Sequence, residues 1–157
     1  MIYLSLKFLH IVGAILFLGN ITTGVFWKAH ADKSRDPRII AHALDGILRS
    51  DRFFTIPGVI VILVSGFAAA IVGGYALFRT DWIVAGIGLF TITAIVFMAR
   101  IAPIQRQMRD LARSSVDTAS FDWPTYQKLS RDWAVWGSIA VLAPVLAAAL
   151  MVFKPTR

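Results

Sequence analysis

FFTIPGVIVILVSGFAAAIVGGYALF, residues 53–78, runs for 26 residues without a charged side chain. About 20 apolar residues cross a hydrocarbon core of roughly 30 Å at 1.5 Å of helical rise each, so this run predicts a transmembrane helix. Three further runs read the same way. Residues 2–27 carry one charge, Lys7; residues 82–104 meet their first charge at Arg100; residues 133–153 carry none. The expected fold is all-α: a four-transmembrane-helix bundle with helices at about 2–27, 53–78, 82–104 and 125–153, in a single domain over residues 1–157. Composition agrees, at 57% hydrophobic, 16% charged and mean hydropathy +0.69. The first run lacks the basic n-region and small-residue cleavage pattern of a signal peptide and is read as a membrane helix.

Residue usage narrows the chemistry. The chain has no cysteine, which excludes disulfides, thiolate-ligated haem, iron–sulfur clusters and zinc-thiolate sites. It also has no glutamate, since all nine acids are aspartates, and this excludes the glutamate-built di-iron bundle. The formal charge is +7, but the basic residues flank apolar runs and form no tract with interleaved aromatics. The anionic partner implied is the lipid headgroup layer, not a nucleic acid. A homodimer or another membrane protein is the remaining candidate partner.

The basic residues set an expected orientation. Twelve lie in or beside the two long connections: Lys28, Lys33, Arg35, Arg38, Arg49, Arg52, Arg100, Arg106, Arg109, Arg113, Lys128 and Arg131. Four lie elsewhere: Lys7, Arg79, Lys154 and Arg157. The asymmetry predicts a multi-pass protein of a bacterial inner membrane, with both connections cytoplasmic and both termini on the outer, periplasmic side. The connections are expected to be ordered. Asp36 as N-cap and Pro37 at the first helical position open a segment with Ile40, Leu44, Ile47 and Leu48 on one face, a cytoplasmic amphipathic helix lying on the surface or folded back over the bundle. After Pro103 the third helix extends past the bilayer with a kink, and a helix restarts around Pro124 and runs into the fourth span. Pro57 is read near the first turn of the second helix. Glycine and alanine recur in all four spans and permit close helix packing in lipid.

The candidate site is in the first helix. At about 100° per residue, His10, Gly13, Phe17, Asn20 and Gly24 share a face turned into the bundle, with Lys7 at its edge. Lys7 is about 8 Å from the outer end and can snorkel to the headgroups. His10, roughly 12 Å deep, needs an internal partner. Either it hydrogen-bonds Thr91 or a backbone carbonyl, or it ligates a metal, with haem b the candidate cofactor. Ala69, Ala70, Phe90, Thr91, Pro144 and Val145 are expected at its level, whereas Met98 and Met151 are expected out of plane. That disfavours a bis-histidine haem within one chain and leaves a single-histidine haem, or one shared between two chains. His30 and His42 are read as solvated loop residues, and Asp32, Asp36 and Asp51 as having basic partners nearby.

LKFLHIVGAILFLGNITTGVFWKAHADKSRDP and DRFFTIPGVIVILVSGFAAAIVGGYALFRTDW resemble a bacterial family of predicted four-helix integral membrane proteins, domain of unknown function 2269, and QKLSRDWAVWGSIAVLAPV extends the likeness over nearly the whole chain. That resemblance implies no assigned activity. More distantly, Lys7, His10, Phe17, Gly19 and His30 are similar to the opening pattern of HemJ-type protoporphyrinogen oxidases and copper-resistance D membrane proteins, which implies a haem-contacting role for His10. Gly86 stands where the oxidases carry a lysine, and their Asn-Glu-x-Pro ending is absent. Three functions follow as alternatives: a membrane protein of unassigned activity with a polar intramembrane site around His10, a haem-b redox protein, or a non-catalytic scaffold or accessory subunit. Whether the chain is an enzyme stays open.

Overall fold

The computed structural model describes residues 1–118 and 120–155, with the side chains of residues 117 and 118 left aside; Arg157, counted above, lies outside the described residues. Six helices follow in order: α1 (Ile2–Ser34), α2 (Pro37–Ser50), α3 (Ile56–Val72), α4 (Asp81–Val96), α5 (Ala102–Thr118) and α6 (Trp123–Phe153). Two π turns, Asp51–Thr55 and Phe97–Ile101, join α2 to α3 and α4 to α5 without a break. Four continuous rods result, each long and apolar enough to cross a membrane. The protein is an integral, multi-pass membrane protein.

Each π turn precedes a proline, Pro57 or Pro103. A proline inside a helix has no N–H for the carbonyl four residues back and clashes with it, and a widened turn relieves both problems. Pro57 stands in the first turn of α3, as expected, and the π turn before it joins that start to α2. The segment after Pro37 is helical as expected, with Asp36 Oδ1 accepting from the Arg38 N–H at 2.8 Å. Its apolar face packs on α5, and the π turn makes it continuous with the second crossing. In the third rod the π turn Phe97–Ile101 lies ahead of Pro103, and the helix continues past it to Thr118.

α1 has 33 residues, about 50 Å of helix, so its last turns stand clear of a 30 Å core. It passes Trp27 and ends at Ser34, where Arg35 adopts a left-handed conformation and its N–H caps the Asp32 carbonyl. Lys28, His30 and Asp32, read as connection residues, are helical. The second crossing stops at Val72, short of the expected Phe78, and a turn through Gly74 at φ +71° leads to α4.

The best-buried core lies at the connection end. Ile40 and Leu44 of α2 pack with Met108 and Ala112 of α5 and with Tyr126 of α6. Water drives that burial, whereas lipid does not. Along the crossings, Phe8, Ile15, Val64, Ile71, Ile95 and Leu142 are exposed on the faces that lipid would cover.

Within the bilayer the helices form two pairs, α1 with α3 and α4 with α6. Among the described residues no Cα of α4 comes within 8 Å of α1 or α3, and none of α3 comes that near α6. The pairs are held together at the connection end by α2 on α5 and by α1 on α6, and they part toward the end that carries the termini.

Candidate functional site

The gap between the two pairs is a cavity of about 290 Å³. Its walls are almost wholly apolar, from Ile11, Ala14 and Leu18 of α1 to Ala147 and Met151 of α6. Phe17 and Phe90, with ring centroids 5.7 Å apart, bridge the two pairs where they converge. Lys7, His10 and Thr91 all line this cavity. So does Met151, expected out of plane.

His10 is fixed by its neighbour helix. Its Nδ1 lies 2.9 Å from the Ile62 carbonyl oxygen. A carbonyl only accepts, so Nδ1 carries a proton, and in the neutral tautomer Nε2 is the acceptor. Gly66 makes the seat, because a Cβ there would fall 2.8 Å from both Cε1 and Nδ1 of the ring. Gly13 brings the backbones together one turn along, where an added Cβ would meet the Ile62 N at 3.2 Å. The partner is thus a backbone carbonyl and not Thr91, whose hydroxyl donates to the Ile87 carbonyl of its own helix at 2.8 Å.

One end of the cavity is electropositive. Lys154 Nζ is 3.5 Å from the Tyr75 hydroxyl and lies over the Tyr75 and Trp82 rings, at 5.7 and 5.5 Å from their centroids. Lys7 and Tyr3 line the same end. The hydrogen bond from Lys154 holds the Tyr75 phenol below its ordinary range, and Tyr3 and the charge on Lys7 act in the same direction. Neither Lys7 nor Lys154 ion-pairs with a described carboxylate.

Asn20 is not part of this site. Its Nδ2 donates to Asp51 Oδ1 at 3.2 Å and to Thr55 Oγ1 at 2.9 Å, in a separate polar cluster at the first π turn. Among the described residues no basic side chain ion-pairs with Asp51, contrary to expectation. A third cluster ties α1 to α6: buried Lys28 reaches Asp32 at 2.5 Å and Ser130 at 2.7 Å, while the Tyr126 hydroxyl donates to Asp32. The Trp133 ring faces the Lys28 ammonium at 5.1 Å. His30 remains exposed, beside Phe26 and Trp27. The sequence carried a signal for the Lys28 cluster, an i,i+4 Lys-Asp pair, but it becomes legible only once α1 is known to extend past Trp27.

His10 offers a fitting donor for a haem iron, since an anchored Nδ1–H leaves Nε2 as the ligand atom. The cavity is small for the rest of the group. Pockets for drug-sized ligands commonly measure about 300–1,000 Å³, and a porphyrin is larger than most such ligands. Among the described residues no three His, Asp, Cys or Glu side chains gather as a metal site.

The chain belongs to the family described as "Predicted integral membrane protein (DUF2269)", which matches residues 4–155. No curated protein and no solved structure matches the chain.

Proposed function

We propose that this protein binds a single-chain amphiphile with an anionic head, the tail lying between the two helix pairs and the head at Lys7 and Lys154. One observation carries the reading: an apolar cavity of about 290 Å³ ends at two lysines that no described carboxylate neutralises. An apolar pocket with a few convergent polar groups is the usual form of a ligand site, and this volume at the low end of the common range suits one chain better than two. The twelve-to-four bias in basic residues supports an inner-membrane orientation with both termini outside, so that the cavity faces the outer leaflet. The aromatic rings of Tyr75 and Trp82 beside Lys154 match the headgroup depth at which such residues collect. His10, locked by Ile62, forms part of the wall and orders α1 against α3.

The test uses the full chain in nanodiscs of zwitterionic phospholipid, titrated with a fluorescent polyene fatty acid and read by energy transfer from Trp82 and its fellow tryptophans. Saturable binding is expected, weakened about tenfold or more in Lys7→Gln/Lys154→Gln, which corresponds to about 1.4 kcal/mol. The methyl ester should bind with the affinity of the double variant. Equal affinity of acid and ester, or of wild type and double variant, contradicts the reading.

A further inference from the structure

The first π turn holds a carboxyl that the cavity does not use. Asp51 is only 8% exposed, yet no described cation forms an ion pair with it. Its Oδ1 accepts from Asn20 and from the Thr55 hydroxyl, the latter at 2.8 Å. Its Oδ2 is buried without a hydrogen-bond partner. Gln105 of α5, 3% exposed, brings its side-chain amide to the same carboxyl as a hydrogen-bonding neighbour, while its Oε1 is buried and unpartnered. Asp51 Oδ2 and Gln105 Oε1 are thus two buried oxygens in one cluster with no hydrogen within bonding geometry.

The elements packed on this turn are α1, α2 and α3. Their charged or titratable groups are Tyr3, Lys7, His10, Lys28, His30, Asp32 and Lys33 on α1 and Arg38, His42, Asp45 and Arg49 on α2, while α3 has none. None forms an ion pair with Asp51: Lys28 is committed to Asp32, and Asp45 to Arg113. Adjacent Arg52 is exposed, and from α5 the facing group is the neutral Gln105. A carboxylate taken out of water without a counter-charge costs several kcal/mol, and the ordinary outcome is neutralisation. A bound metal ion would need several oxygen ligands around it. A proton needs only Oδ2.

We infer that Asp51 is a proton-binding site: its carboxyl takes a proton from water at the connection end, and the neutral acid joins α1 through Asn20 to the π turn and to α5. The Oδ2–H supplies the donor that the cluster lacks. A π turn is a frequent location for such a group, because it sets a side chain where a regular helix would not.

Infrared spectra of the full chain in nanodiscs, wild type minus Asp51→Asn, test this. Near neutral pH the difference should contain a carboxylic-acid carbonyl band that shifts in D₂O. Absence of that band overturns the inference. So does its loss on adding sodium at constant pH when choline has no effect, because a metal cation would then be the occupant. Should Asp51→Asn fail to fold, Gln105→Leu carries the test. The band must move in frequency as the carboxyl loses its neighbour, and an unmoved band overturns the assignment.

Discussion

His10 Nδ1 donates to the Ile62 carbonyl across 2.9 Å, and Gly66 one turn further along α3 leaves the space in which the ring lies. Gly66→Ala would press a methyl against the ring, and overpacking of this kind costs about 1–3 kcal/mol. His10→Leu should cost about 1–2 kcal/mol or less, because intramembrane hydrogen bonds are modest. Since the two residues share one space, Gly66→Ala should be nearly harmless in a His10→Ala background. Thermal unfolding in micelles measures all three, and an undiminished Gly66→Ala penalty in that background would contradict the geometry.

The long apolar runs made the four crossings legible, because in lipid the length and charge of a segment decide its state almost alone. The N-cap at Asp36 was equally local and equally readable. What could not be read was the partner of each polar side chain. Asn20 shares a helical face with His10, but the bundle parts along that face, and Asn20 meets the π turn instead. Pro57 is in the first turn of α3 as read, but sequence alone does not say whether the chain before such a proline stops or continues through a π turn.

Lys28 is 4% exposed and held by Asp32 and Ser130. Asp32→Ala would leave a buried ammonium without its counter-ion, for which about 3–5 kcal/mol is typical; with Asp32 partly exposed, the low end applies. Lys28→Met/Asp32→Leu should be more stable than Asp32→Ala, because no charge remains buried. Denaturation in mixed micelles ranks the variants, and a double variant less stable than the single would sink the argument.

The Tyr75 phenol is held low by Lys154, and at low pH it is protonated whatever the neighbour. As pH rises, tyrosinate absorbance should therefore appear earlier in wild type than in Lys154→Gln. Identical titration curves for the two, with Tyr75→Phe subtracted from each, would remove Lys154 from the mouth of the cavity.

A reporter active only outside the cytoplasm, fused after Arg157, should give signal, and one active only inside should not. The basic bias of the two connections motivates this expectation. The reverse pattern would turn the cavity toward the cytoplasmic leaflet.

The most direct measurement photo-crosslinks a diazirine-bearing fatty acid to the full chain in zwitterionic nanodiscs and maps the adducts by mass spectrometry. With adducts assigned to single residues, the cavity account predicts labelling of Ala14, Phe17 and Phe90, suppressed by excess unlabelled fatty acid but not by its methyl ester. Adducts spread over the lipid-facing positions Ile15, Val64 and Leu142, with no competition by the free acid, would contradict it.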